Sequence, residues 1–527
     1  MFIRLGSIRC SPFSTFTLVL ILAASLLCPA AGTRGEELGG FEAQGDIGWV
    51  GKAGSALFKA EDRSFLVSGG GDNMWFTNDA FHFVWMRRPG NFALSAAVEW
   101  LGTGGNAHRK ACLLVRESLR PDSPYVAVAV HGDGLTSLQF RETPGGPTRE
   151  IQARRVEPAR VGLTRQGNVF YLSVPMEGEP PGAGRTATPQ LEPAGAFIRL
   201  ALAEPSYVGL GVCAHDNQVL EQARFVRVEL EDETPGLTSG PSPKPVLHCT
   251  LETVALASKA RQVIYHTTDL IEAPNWSPDG WYLLFNSGGR LYQLPASGGS
   301  PEALSTGPGG YCGSDHGFSP DGRRLAITDQ SRAGTPLIYT VPVAGGVPHQ
   351  VTTRGPSYWH GWSPDGSTLA YTAGRNGKID IYTIPTQGGA ERRLTTAAGI
   401  NDGPDYSPDG KFIYFSSDRT GTMQIWRMSP DGGNQEEVTA DKFNNWFPHV
   451  SPDGKWVVFL SVSSAKKVPS LAAPTQPCML RLLPLGGGPV EELARLVGGQ
   501  GTINAPSWSP DSRELAFVSY EMITPGR

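Results

Sequence analysis

The 527 residues carry 50 acidic against 45 basic side chains, a net charge of −5. That mild balance argues against a nucleic-acid partner, which calls for a basic surface. The 65 glycines and 43 prolines fit a turn-dense β-protein, and the cysteines form no close pairs, which argues against a disulfide framework.

Arg4 and Arg9 precede an apolar run over 16–27, followed by the small residues of Pro29-Ala30-Ala31-Gly32. This is the pattern of a secretory leader over 1–32, too short to cross a bilayer stably. No later stretch reaches 18 apolar residues. The mature chain is therefore expected to be periplasmic or secreted, without a transmembrane span. Five cysteines remain: Cys112, Cys213, Cys249, Cys312 and Cys478. One bridge, Cys112 to Cys213, stays open beside the alternative of buried thiols.

Residues 36–232 read as a first domain. Short apolar runs at 57–60, 64–67, 81–85, 92–98, 111–115, 125–130 and 208–212, separated by Gly-rich breaks, predict the strands of a β-sandwich. The pattern resembles the concanavalin-like and laminin-G-like jelly rolls, which implies carbohydrate binding. Trp75, His108, Arg109, Arg116 and His131, together with Asp72, Glu117 and Asp133, are candidate sugar contacts on that face. Loop and core duties account for them equally well. Residues 233–246 hold four prolines among Gly and Ser and predict a semi-extended linker.

From residue 247 a repeat takes over. Ser-Pro-Asp-Gly begins at Ser277, Ser319, Ser363, Ser407 and Ser451, and Ser-Pro-Asp-Ser at Ser509, at spacings of 42, 44, 44, 44 and 58 residues. A period of about 40 to 45 residues is that of a radial β-architecture with one four-stranded blade per repeat. In the fourth copy Pro408 pre-sets φ for a turn, Asp409 accepts from backbone donors, Gly410 tolerates positive φ, and 411–416 follows as a strand. The chain ends soon after 515–519, so the last blade lacks two strands. Segments 253–256 and 262–265 are expected to complete it, closing a six-bladed ring Velcro-fashion without free sheet edges. The excess of the 58-residue spacing falls near residues 463–478 and reads as a surface insertion or a covering loop. The fold expected is all-β: a jelly-roll sandwich, a linker, then a six-bladed propeller over 247–527.

These repeats resemble the TolB-type propellers over slightly more than half the chain. The resemblance implies a periplasmic or secreted interaction module, and some related propellers are catalytic.

Departures from the repeat mark the candidate site. Three residues before each serine stand Pro274, His316, His360, Pro404, Pro448 and Pro506, and one position later the fifth copy has His449. Five residues before stand Glu272, Ser314, Tyr358, Asp402, Trp446 and Asn504. These segments lead into the innermost strands and are expected to gather at one mouth of the central channel. Glu272, Asp315, His316, Tyr358, His360, Asp402, Trp446, His449 and Asn504 are the candidate set. It has the ligand types for a divalent cation, for general acid–base work, and for a hydrogen-bonding collar around a sugar or peptide terminus. Polar groups that merely satisfy strand ends account for it as well. No nucleophile elbow, P-loop, His-Glu-x-x-His or dinucleotide fingerprint is present. The sequence thus points to a cell-envelope binding protein that recognises a glycan or a protein. The alternative is a lyase or hydrolase acting on carbohydrate through the channel histidines, with or without a metal.

Overall fold

The computed structural model describes residues 38–102, 104–154, 158–175, 190–232, 244–307, 310–463 and 476–524. The leader at 1–32, most of the linker and the interior of the insertion lie outside the described residues.

The repeat forms strands because each copy carries its own turn. Ser407 Oγ donates to Asp409 Oδ1 at 2.7 Å and accepts from the Phe412 amide at 3.0 Å, while Asp409 Oδ1 accepts from the Lys411 amide at 3.1 Å. The same serine-to-aspartate bond recurs at Ser277, Ser319, Ser363, Ser451 and Ser509. The fourth residue of the turn has φ of 68–81° in the glycine copies, and Ser512 takes φ 62° in the last. There a side chain is tolerated because Ser512 Oγ accepts from the Asp453 amide at 3.0 Å.

This turn titrates. The Ser407 hydroxyl, then the Lys411 amide, pull the Asp409 carboxyl down to about 2. A folded value below the ordinary carboxylate value stabilises the protein above about pH 4, and the gain is lost as pH falls through 2. The stability difference between wild type and Asp409→Asn, read from urea midpoints, is therefore expected to be constant from pH 7 to 5 and to shrink below pH 4. A difference that holds down to pH 2 contradicts the assignment.

Five antiparallel four-stranded sheets follow one another, at 271–304, 312–350, 357–393, 401–437 and 443–498. Their innermost strands, Ile271–Trp276, Cys312–Phe318, Ser357–Trp362, Asn401–Tyr406 and Phe443–Val450, adjoin in sequence around a ring. Six blades were expected, and among the described residues five such blades form. The last copy leads into Glu514–Ile523, which pairs along its length with Val246–Ala255, and that strand pairs with Arg261–Thr267. Its innermost position holds only a Trp508–Leu515 bridge, because a 3-10 turn, Gln500–Thr502, occupies the approach. Its outer edge does not end the sheet. Arg261–Thr267 runs parallel to Arg149–Gln152, through Ile151 opposite Arg261, so these strands belong to a ten-stranded sheet shared with the first half of the chain.

In that first half, two antiparallel sheets enclose one apolar core. Val84, Val115, Val128 and Leu210 of one sheet meet Val67, Leu94, Leu163 and Phe225 of the other. Alternation along each strand explains the burial: the intervening residues Lys110, Cys112, Leu114 and Arg116 face a separate cluster beneath the hairpin Met74–Trp75/Asn78–Asp79. Cys112 and Cys213 are both buried free thiols.

Candidate functional site

In each of the five blades the innermost strand breaks register with its neighbour at the same place: Glu272/Asn275, Cys312/His316, Trp359/Gly361, Asp402/Asp405 and Trp446/His449. A β-bulge leaves residues unpaired and re-aims their side chains. Ala273, Gly403 and Phe447 carry the local reversal, with φ of 55°, 64° and 52°. Of the expected positions, Asp315 and His360 fall in these unpaired breaks, whereas Glu272, His316, Tyr358, Asp402, Trp446 and His449 keep partners in the ladder.

Two groups assemble there. Asn504 Nδ2 donates to Asp315 Oδ1 at 2.6 Å and lies 3.4 Å from Ser314 Oγ. This contact passes over the whole first blade. His360 Nε2 stands 3.4 Å from Asp402 Oδ1, which also accepts from Thr372 Oγ1 at 2.7 Å and from the Gly403 amide at 2.8 Å. The His360 ring lies nearly parallel to Phe447, 6.4 Å between centroids, across the fourth blade. Contacts between non-adjacent blades mean that the channel is narrow at this level and lined by side chains.

Charge is unevenly distributed. Burial, with Asp402 as a second cause, holds the Asp315 carboxyl above its usual value although His360 and Asn504 oppose it. Burial, then the nearby Asp315, raises Glu272, whose carboxylate accepts no hydrogen bond among the described residues. Burial works against a charged His360, but the bond and charge of Asp402, backed by Asp315 and Asp405, overcome it and raise the imidazole. Asp402 is lowered despite its burial, by His360, Thr372 and the Gly403 amide. Tyr358, 37 % exposed, has its phenol raised by burial, Asp315 and Asp402. The His360 imidazole is thus counter-charge to Asp402 first, and to Asp315 and Asp405 after it.

The other two histidines go elsewhere. His316 is wholly buried, its Nδ1 3.3 Å from the Gly313 carbonyl, and burial pushes it down to about 4. His449 uses both ring nitrogens, at 3.2 Å from Asp405 Oδ2 and 2.8 Å from the Ile503 carbonyl. Among the described residues no three His, Cys, Asp or Glu side chains come together as a metal cage. Trp446 is buried against Phe447, 5.9 Å between rings. His316 Nε2, His360 Nδ1, Trp446 Nε1 and Asn504 Oδ1 are buried polar atoms without a partner among the described residues; unspent capacity of this kind marks where a ligand or water completes a site.

Asp405, Thr372 and Phe447 were missed. Asp405 holds the register position of Asn275 and His449, a signal that was available. Thr372, on a second strand, left none.

The sugar candidates of the first half are mostly interior. Arg116 is fully buried and donates to Asp79 at 2.6 Å. Arg109 donates to Glu221 at 2.5 Å and lies over Trp100. His131 is buried beside Gln139 and pushed down to about 3, chiefly by burial and then by Lys110. Trp75 covers Lys110, and His108 is exposed, 5.5 Å from the His215 ring.

A family model described as the TolB beta propeller domain matches residues 360–476. An uncharacterized protein of Agrobacterium fabrum is 46% identical over 124 residues, which make up 23% of this chain and 42% of that relative's length. The solved structure of a putative TolB from Agrobacterium tumefaciens is 46% identical, covering 53% of this chain and 99% of its own, with a TM-score of 0.50. TolB from Acinetobacter baumannii is 20% identical over 46% of this chain and 65% of its own, with a TM-score of 0.37. Among the described residues no helix is long and apolar enough to cross a membrane. Through its repeat-bearing half, the chain belongs to the TolB-like β-propeller proteins.

Proposed function

We propose that this is an exported, envelope-associated binding protein whose channel mouth takes a positively charged segment of a protein partner, a peptide amino terminus or a Lys or Arg side chain. The leader-like residues 1–32 support export to the periplasm or beyond. In this reading residues 36–232 form a concanavalin-like unit. Residues 247–527 form the propeller, in which the ladder of Arg261–Thr267, Val246–Ala255 and Glu514–Ile523 serves as the sixth sector.

The observation that carries the reading is the excess of carboxylate at the mouth. Glu272 and Asp315 are held above their usual values by burial and by neighbouring acids. An entering cation relieves that repulsion and supplies the missing counter-charge. Asn504 Oδ1, buried and unpartnered, is an acceptor that suits an ammonium or guanidinium donor.

The test is fluorescence anisotropy of the purified protein with labelled peptides of matched length, bearing Lys and Arg, uncharged residues, or Asp and Glu. Basic peptides are expected to bind best, more weakly as salt rises. A Glu272→Gln, Asp315→Asn double variant should lose about tenfold or more in affinity, roughly 1.4 kcal/mol. Equal binding of all three peptide classes, or an unaffected double variant, removes the reading.

A further inference from the structure

The fifth blade departs from its siblings in strand length. Its outermost strand, Glu491–Gly498, has 8 residues, where those of the other four blades have 2 or 3. The long spacing between Ser451 and Ser509 thus goes partly into extra ladder. Phe443 stands opposite Ser463, Ser461 opposite Met479, Met479 opposite Arg495, and Pro477 opposite Val497. Side chains two apart on a strand, and those directly opposite, share a face. The lengthened end of the blade therefore presents one continuous surface.

Across from it lies the edge strand Leu191–Arg199 of the first half, whose Phe197 packs with Val169, Tyr171 and Ile523 as an apolar cluster of its own. Between the two is a cavity of about 480 Å³, walled mainly by apolar groups of Phe197, Phe443, Pro477, Met479, Leu496 and Val497. Its size is that of a small-molecule pocket, and such pockets favour junctions of this kind.

Among the described residues six charged side chains border the cavity: Glu142, Arg199, Arg261, Lys442, Arg495 and Glu521. Four of them are already matched. Arg199 donates to Glu521 at 2.6 Å, Arg261 to Glu252 at 2.7 Å, and Arg495 to Glu492 at 2.7 Å. In the layer behind, Asp441 holds Arg481, Glu491 holds Lys259, Glu492 also faces Arg149 at 3.6 Å, and Glu150 accepts from Gln139 and Gln152. The hydroxyls of Ser461 and Ser519 are spent on Asn445 and Glu252. One bordering group of each sign is left. Lys442, exposed, lies 5.4 Å from the Phe443 ring, and Glu142, half-buried, acts on Arg495 only through space. Neither makes a hydrogen bond or ion pair among the described residues. Glu142 belongs to the first half of the chain and Lys442 to the fifth blade.

We propose that this cavity is a second ligand site, independent of the channel mouth, for a zwitterionic peptide of two or three apolar residues. Its terminal ammonium meets Glu142, its carboxylate meets Lys442, and its side chains lie against Phe197, Phe443, Met479 and Val497. A ligand with a single charge answers only one of the two unmatched groups. A polar peptide leaves the apolar walls without a partner. Because the two charges stand on different halves of the molecule, the bound peptide ties the halves together and stabilises both by mass action.

Calorimetric titration of the purified protein with Leu-Leu and Leu-Leu-Leu, their N-acetylated and C-amidated forms, and Ser-Ser-Ser tests this. The free leucine peptides are expected to bind, and either cap, or the change to serine, to weaken binding about tenfold or more. Glu142→Gln should bind free and acetylated peptides alike, and Lys442→Met free and amidated ones alike. Neither side chain carries a structural bond, so both variants should melt as wild type does. The Glu272→Gln, Asp315→Asn channel variant should bind the leucine peptides unchanged. The proposal is overturned if no leucine peptide binds, if capped or serine peptides bind as the free leucine ones do, or if Glu142→Gln and Lys442→Met keep the wild-type preferences. Loss of leucine-peptide binding in the channel variant also overturns it, by placing those peptides at the mouth.

Discussion

Asp79→Ala is expected to destabilise the first half of the chain by about 3–5 kcal/mol, a large share of the roughly 5–15 kcal/mol by which a domain is stable. Asp79 Oδ2 accepts from Arg116 Nη1 at 2.6 Å and Arg141 Nη1 at 2.8 Å, and Oδ1 from Arg141 Nη2 at 2.7 Å, with all three side chains fully excluded from solvent. The arginines spend their remaining donors on carbonyls of Ser118, Arg120, Ser123 and Gly146 and on Thr148 Oγ1. Tyr125 packs against both guanidinium groups, at 5.5 and 5.1 Å. Removing the one carboxylate leaves two cations buried with neutral acceptors only. Asp79→Asn keeps an acceptor and the volume, so its cost should fall between wild type and alanine. Urea unfolding followed by tryptophan fluorescence reads the effect. A loss below about 1 kcal/mol for the alanine variant would mean that water reaches the guanidinium groups once the carboxylate is gone.

Local rules carried much of this structure into the sequence. The Ser-Pro-Asp-Gly turn is written in four adjacent residues, and all six copies close with the same serine–aspartate bond. The replacement of proline by histidine at His316 and His360 was equally visible, and both side chains are buried. Their use was not visible. His316 keeps its ladder partner Ile327 and turns its ring to the Gly313 carbonyl, while His360 falls in a break of the ladder and meets Asp402. Likewise Arg116 reads as a surface sugar contact until Asp79, 37 residues away, is seen beside it. The sixth sector was legible as a strand pairing. Its outer edge was not, because nothing in 149–152 announces that it lies beside 261–262. Pairings between distant segments depend on register, which a short run of alternating residues does not encode.

That seam supplies the second large effect. Glu252→Ala is expected to cost about 3–5 kcal/mol and to act on both halves of the molecule at once. Glu252 is fully buried and accepts from Arg261 Nε and Nη2, each at 2.7 Å, and from Ser519 Oγ. The three residues lie on three strands: Glu252 on Val246–Ala255, Arg261 on Arg261–Thr267 and Ser519 on Glu514–Ile523. Arg261 also reaches the Arg495 carbonyl of the fifth blade at 3.4 Å, covers Phe517 at 5.3 Å, and stands opposite Ile151 in the parallel pairing to the first half. Without Glu252 its charge is stranded where the ring closes. The variant should therefore show a lowered melting temperature and faster proteolysis near both ends of the 247–527 segment, rather than in the middle blades. A Glu252→Leu, Arg261→Leu double variant separates charge from closure, since replacing a buried pair with apolar side chains is often neutral or stabilising whereas breaking it is not. If the double variant recovers most of the lost stability, the pair serves to satisfy itself, and the strand pairing alone closes the ring. If it stays as unstable as the single variant, Arg261's bridge to the Arg495 carbonyl and the packing on Phe517 are what hold the sixth sector to its neighbours. An alanine variant as stable as wild type would contradict the burial of Glu252 itself.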